Sequence, residues 1–260
     1  MNHTKVFAAA VALSSVCAHA QATYKAPADS AAIVSKVPFA QGHPFGEEFR
    51  ARFNMCDQHD VCFGKPQSCS TDKSRNVSLL RLPGTVIFYE AKMAVDIDGS
   101  KLAARLYRER KKAGKPVIDQ PDTSLRYADG TSIDADTVPY VAVPGGNFRA
   151  AMGIKMGDIA AVVYRDTISY AVVGDVGPTC KIGEGSSRLH EQLGHKVCVA
   201  RDGKGICTLI SDHGIEAGVL YFIFPGSRNQ LVPSLTPSNI NERIITLGLL
   251  LMRGLETDNP

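Results

Sequence analysis

Two carboxylates, Asp175 and Glu184, lie in the stretch GDVGPTCKIGEG, flanked by Gly174 and Gly185 with Gly177 and Gly183 between them. Glycine costs ordering entropy, so this density marks a shaped turn, a close backbone approach or a working loop. Asp175 follows the apolar run Thr167 to Val173, so a rigid strand end would aim it into a pocket. Apolar walls push such a carboxyl toward its protonated form, which suits a general acid. Glu184 stands just before a short helix expected to be capped by Ser186 or Ser187, where free N–H groups favour the ionised form and hence a general base. Two carboxylates driven apart in this way are what glycoside hydrolysis uses. By spacing alone, a plain strand-to-helix connector fits the stretch as well.

Other chemistries find less support. No serine sits in a G-x-S-x-G nucleophile elbow. DIDGS is followed by Lys101 where a calcium loop needs glycine. His190, His195 and His213 have no metal spacing and are expected to be satisfied surface histidines. No metal and no cofactor is expected.

The elements that must position the two acids follow from periodicity. From Thr85 to Asp98 the chain alternates, with Ile87, Tyr89, Ala91, Met93, Val95 and Ile97 on one side and Glu90, Lys92, Asp96 and Asp98 on the other. A barrel wall beside a cleft would look like this, and so would an ordinary half-solvated sheet. Ser100 is placed to cap a helix over Leu102 to Lys112. Asp129-Gly130 reads as a hairpin turn, and Val138 to Pro144 as a short buried strand. Asp158 to Tyr164 and Thr167 to Val173 read as a central hairpin turning at Arg165-Asp166. Val219 to Phe224 is a further buried strand. Pro237 to Met252 reads as a terminal helix, with Thr236 as cap and Gly254 beyond its end. Many strands and few helices predict a mainly β, α+β single domain.

Residues 1–20 read as a secretory signal, with Lys5, an apolar stretch and Ala18-His19-Ala20, so a secreted or periplasmic protein is expected. Residues 21–84 read as an extended, cysteine-containing amino-terminal segment, and 85–260 as the main domain. A formal net charge of +3 with both signs interspersed excludes a basic nucleic-acid arm, and RERKK at 108–112 reads as a solvated helix face. No stretch is long and apolar enough for stable membrane insertion. A monomer is expected. Tryptophan is absent, so any aromatic platform must be Tyr or Phe.

Beyond Cys17 in the signal, six cysteines remain: Cys56, Cys62, Cys69, Cys180, Cys198 and Cys207. In an exported chain an even number reads as disulfides. Asp202-Gly203 as a two-residue turn would set Arg201 opposite Lys204 and Cys198 opposite Cys207, at a position where a bridge fits. Cys180 is then expected to bond one of Cys56, Cys62 and Cys69, with the other two pairing locally. Zinc with His59 as a ligand is the competing arrangement, but spacings of six and seven residues do not match common zinc pairs.

Four segments, in order, resemble the fungal-type chitosanases of glycoside hydrolase family 75: FYEAKMAVDIDGS, DTSLRYADGTSIDADTVPYVAVP, IKMGDIAAVVY and YAVVGDVGPTCKIGEGS. A fainter likeness continues through GIEAGVLYFIFPGS. The resemblance implies a double-psi β-barrel-like core with a few peripheral helices, and hydrolysis of β-1,4 links in chitosan or a related amino-sugar polymer with inversion. It places the essential pair on Asp175 and Glu184, with Asp175 read as acid and Glu184 as base. Asp96 and Asp98 are expected to bind ammonium groups, Asp98 being the reserve base, and Glu90, Lys92 and Tyr170 complete the expected substrate contacts. The LAARLYRERKK insertion and the amino-terminal cysteine cluster depart from the family pattern, and Lys92 opposes an acidic cleft. A peptidoglycan glycan-strand hydrolase and a non-catalytic glycan-binding envelope protein are the alternative readings.

Overall fold

The alternating stretch after Thr85 forms the strand about which the sheet is organised. The computed structural model describes residues 24–69, 78–211, 213–231 and 234–257; the expected signal lies outside them. In chain order the elements are β1 (His43–Pro44), α1 (Glu47–His59), β2 (Val61–Cys62), β3 (Lys65–Pro66), β4 (Leu79–Arg81), β5 (Ile87–Asp96), α2 (Lys101–Lys112), β6 (Tyr140–Pro144), α3 (Phe148–Met152), β7 (Ile159–Tyr164), β8 (Thr167–Gly177), β9 (Glu184–Ser186), α4 (Ser187–Gln192), β10 (Cys198–Arg201), β11 (Cys207–Ile210), β12 (Ile215–Phe224) and α5 (Ile240–Thr257). The main sheet runs β1-β4-β5-β12-β7-β8-β6-β9, and β9 also pairs with β5. That last pairing closes six strands, β5-β12-β7-β8-β6-β9, into a barrel within a mainly β, α+β single domain.

Alternation divides the apolar residues into two packed layers. Ile87, Tyr89, Ala91 and Met93 of β5 join Val141, Val143, Ala160, Val162, Ala171, Val173, Tyr221 and Ile223 on one side of the strands. Tyr89 and Tyr221 stack there with ring centroids 4.5 Å apart, a contact worth about 0.5–1.5 kcal/mol beyond its buried area. The other side carries Phe88, Tyr140, Ala161, Val172 and Phe222 and is covered in part by Ile240, Ile244 and Leu247 of α5.

Several elements differ from expectation. Residues 47–59 are helical rather than extended, because Phe49, Phe53 and Cys56 recur at helical spacing and are buried against the protein. Asp129-Gly130 turns the chain, but its arms make only the bridge Arg126–Ser132. Helix α5 starts at Ile240 and runs through Gly254, since Met252 and Leu255 remain in the packed layer. Ser100 caps α2 as expected, its Oγ accepting from the Ala103 N–H at 3.0 Å.

The described residues form three disulfides, Cys56–Cys69, Cys62–Cys180 and Cys198–Cys207. The last forms in a register other than the one expected. Asp202 Oδ1 accepts from the amides of Lys204 and Ile206 and widens the turn, so Arg201 pairs with Cys207 and Cys198 with Ile210. Irregularities in the ladder still bring Cys198 and Cys207 within 5.8 Å at Cα. No helix among the described residues is long and apolar enough to cross a membrane.

Candidate active site

Strand β8 does not stop at Val173 but continues through Asp175 to Gly177. On the neighbouring β6, Val141 pairs with Val173 and the next residue, Ala142, pairs with Asp175. Gly174 is therefore the extra residue of a β-bulge, a device that re-aims the side chain that follows it. Instead of following Val173, Asp175 shares the side of Ala142 and Tyr140. A Cβ on Gly174 would lie 2.6 Å from Tyr140 Cβ and 2.7 Å from Ile133 Cδ1, so no side chain fits there. Asp175 is buried, and its Oδ1 accepts from Ser124 N–H at 3.0 Å, Ser124 Oγ at 2.5 Å and Val176 N–H at 2.7 Å.

Glu184 opens β9, the short strand that closes the barrel. It pairs with Ala142 of β6 on one flank and with Ala94 of β5 on the other. Ala142 thus has Asp175 on one side and Glu184 on the other, and in-register neighbours point to the same face of a sheet. The α4 cap is Ser186, whose Oγ accepts from Leu189 N–H at 3.1 Å, so Glu184 sits on a strand two residues before the helix boundary. It lacks the helix-start setting that would hold it ionised. Enclosure by protein, reinforced by the charges of Asp96 and Asp175, pushes its carboxyl up to about 8 despite the opposing charges of Lys181 and Lys92. Its Oε2 rests against Gly177, where any side chain would overlap it.

Asp96 and Asp98 join the pair. One carboxylate oxygen from each of Asp96, Asp98 and Asp175 lies within 4.8 Å of the others, close enough to share one cation. Asp96 Oδ1 accepts from Asp98 N–H at 2.8 Å, and Asp98 Oδ1 from Gln120 N–H at 2.7 Å. Burial, with the Asp175 charge next, pushes Asp96 up to about 7. Burial, with the Asp96 charge next, pushes Asp98 up to about 8. Tyr140 lies beneath, its hydroxyl donating to the Asp98 carbonyl at 3.2 Å, and burial followed by the same carboxylates raises its own pKa. An open cleft of about 420 Å³ is bordered by Asp98, Tyr107, Gln120, Asp122, Ser124 and Asp175.

The remaining expected contacts lie elsewhere. Lys92 is buried and paired with Asp57 of α1, so it does not present its charge to the cleft. Glu90 accepts from the Tyr24 hydroxyl at 2.6 Å, which ties it to the amino-terminal segment. Tyr170 packs against Gly248 of α5, on a part of the wall covered by that helix. His190 is fully buried, contrary to the surface expectation, and its ring nitrogens lie 3.0 Å from Ser186 O and 3.1 Å from Met93 O. It braces α4 against β5, and burial lowers its pKa to about 4. Sequence reasoning missed Ser124 and Gln120 at the site, because their roles arise only when the 119–138 segment crosses the ends of β5 and β8, and it missed Tyr140 of β6. Tyr140 carried one signal, an aromatic hydroxyl inside a strand read as buried.

A comparison with curated proteins returned no match. The model of one family, described as fungal chitosanase of glycosyl hydrolase group 75, matches residues 93–247, which include Asp96, Asp98, Asp175 and Glu184 and most of the closed barrel. The chain belongs to this family and is a chitosanase-like glycoside hydrolase.

Proposed function

We propose that the protein is an exported inverting endo-glycosidase that hydrolyses β-1,4 links of chitosan or a related amino-sugar polymer, with Asp175 and Glu184 as its catalytic pair. The observation that carries this reading is the placement of both acids opposite Ala142 on one side of the sheet. Two ladder steps separate their backbones by about 9.6 Å. Inversion needs room for one water between the carboxyls, a gap of about 6.5–9.5 Å. Glu184, whose carboxyl holds its proton to about pH 8, supplies the proton to the departing glycosidic oxygen. Asp175, held as an acceptor by Ser124 and Val176, activates water on the opposite face. This exchanges the roles expected from sequence, because the helix start that was to ionise Glu184 lies two residues further on.

Asp96 and Asp98 supply the cation recognition. A glucosamine ammonium entering among them would draw their carboxyls to the ionised form, the form that attracts a polycation. Three disulfides fit an oxidising compartment and support export. The same reading carries the double-psi form of barrel crossing and the monomeric state. Digestion of partially acetylated chitosan and of peptidoglycan side by side, with products resolved by mass, tests the substrate. Amino-sugar oligosaccharides from chitosan alone are expected; products from peptidoglycan alone would transfer the activity to that polymer, and binding without products would make the protein a glycan-binding module.

A further inference from the structure

Helix α1 lies outside the residues matched by the family, yet it supplies Asp57, the partner of a lysine whose charge acts on Glu184. Lys92 lies on β5 two residues before Ala94, the in-register neighbour of Glu184, a step of about 6.6 Å along the strand. The Ala94 N–H donates to Gly183 O at 2.9 Å, and Gly183 packs directly on the Lys92 carbonyl. Lys92 is therefore a diagonal neighbour of Glu184 on the same side of the sheet. Its ammonium pairs with Asp57, and both side chains are almost fully buried, at 3% and 2% exposure. Asp57 is fixed from two directions. Cys56 beside it bonds Cys69, and the strand that follows α1 is tied by Cys62–Cys180 to the loop that leads into Glu184.

We infer that Asp57 is a positioning residue for the reaction: by holding Lys92, it keeps that ammonium from pairing with Glu184 and so leaves Glu184 able to carry the proton it delivers. The inference rests on Glu184 as the proton donor. The charged groups facing Glu184 are Asp96 and Lys92 from β5, Asp175 from β8 and Lys181 from the preceding loop; β6 brings Tyr140, and His190 of α4 is engaged with Ser186 O and Met93 O. Among these, Lys92 is the cation whose position a residue outside the barrel controls. With Asp57 neutralised, the carboxylates left on its side of β5 are Glu90, which already accepts from Tyr24, and those of the site, and a cation within about 4–6 Å lowers a carboxyl by about 1–3 pKa units.

The test follows the Glu184 carboxyl by 13C NMR in glutamate-labelled protein, with the resonance assigned through Glu184→Gln, alongside the alkaline limb of kcat/KM on chitosan oligosaccharides. Asp57→Asn is expected to lower the Glu184 midpoint and the alkaline limb together by about one unit or more. Asp57→Glu keeps the ion pair and is expected to keep both near the parent values. The double variant Asp57→Asn/Lys92→Met, which removes both charges, is expected to hold the midpoint within about half a unit of the parent, and it also serves should the single variant fail to fold. An unmoved midpoint in Asp57→Asn, or a fall in the double variant, overturns the inference, since a purely structural ion pair would change melting temperature and not titration. A midpoint that falls while the alkaline limb stays shows that Asp57 holds Lys92 off Glu184 but removes Glu184 as the proton donor, and with it the role of Asp57 in the reaction.

Discussion

Asp175 and Glu184 are both ladder partners of Ala142, Asp175 across the parallel β6–β8 pairing and Glu184 across the antiparallel β6–β9 pairing. A closed barrel makes this possible, because β9 is held between β5 and β6 and cannot swing away from the wall. The spacing of the acids is then set by sheet geometry, and their protonation by what surrounds them.

Removing either acid distinguishes its role. Asp175→Asn is expected to lower turnover of chitosan by about 10²–10⁴-fold or more with an unchanged circular dichroism spectrum. Glu184→Gln should lose as much on chitosan but retain hydrolysis of a chitooligosaccharide β-fluoride, whose leaving group needs no proton. Asp175→Asn should be inactive on both. The opposite pattern on the fluoride would return the roles to those read from sequence.

The bulge makes a separate prediction. Gly174→Ala brings a methyl to within 3 Å of Tyr140 Cβ and Ile133 Cδ1. The strand must shift, at a cost of about 1–3 kcal/mol. Melting temperature should fall by about 2–10 °C, and kcat should fall more than KM changes, since Asp175 is re-aimed while Asp96 and Asp98 stay in place. An active enzyme with only a lower melting temperature would show that the bulge does not aim the acid.

Stability should decline with alkalinity. Glu184 and Asp98 are raised to about 8 and Asp96 to about 7, from 4.5 and 3.8, so the folded protein holds these protons more tightly than the unfolded chain. Their contribution is complete below about pH 4 and is lost as pH rises through 7 to 8. Buried His190, lowered to about 4, works in the opposite direction between about 4 and 6.5. The decline is therefore cleanest from pH 6.5 to 8.5 by calorimetry, and Glu184→Gln should show a shallower decline and a higher melting temperature at pH 8.5.

Binding of a polycation should release protons. In Asp175→Asn, chitosan oligosaccharide binding measured at about pH 5.5, where the sugar amines are already protonated, in buffers of different ionisation enthalpy should show net proton release, reduced in a variant that also carries Asp98→Asn. Equal apparent enthalpies in all buffers would mean that ammonium recognition does not draw on these carboxyls.

Much of this arrangement was legible in the chain. Alternation from Ile87 to Asp96 identified the strand and both of its faces, and Ser100 identified the start of α2, because each signal is local. The Cys198–Cys207 pair was legible from the Asp202-Gly203 turn and the tie of Cys180 to the amino-terminal cysteines from the count, but not that Cys62 is its partner, nor the turn register near Asp202, since one side chain accepting two amides decided it. Helix α1 was not legible although Phe49, Phe53 and Cys56 stand at helical spacing, because most of its other positions are polar and Gly46 at its start offers no capping side chain. The protonation of Glu184 was not legible at all. It depends on β9 being a strand with partners on both flanks, and three residues carry no periodicity that would reveal one.

The most direct measurement is the anomeric form of the new reducing end, followed by 1H NMR during the first minutes of chitosan digestion, before mutarotation mixes the forms. Direct displacement by water across the Asp175–Glu184 gap predicts that the α-anomer accumulates first from each cleaved β-link. First appearance of the β-anomer would require a covalent intermediate and would contradict the account.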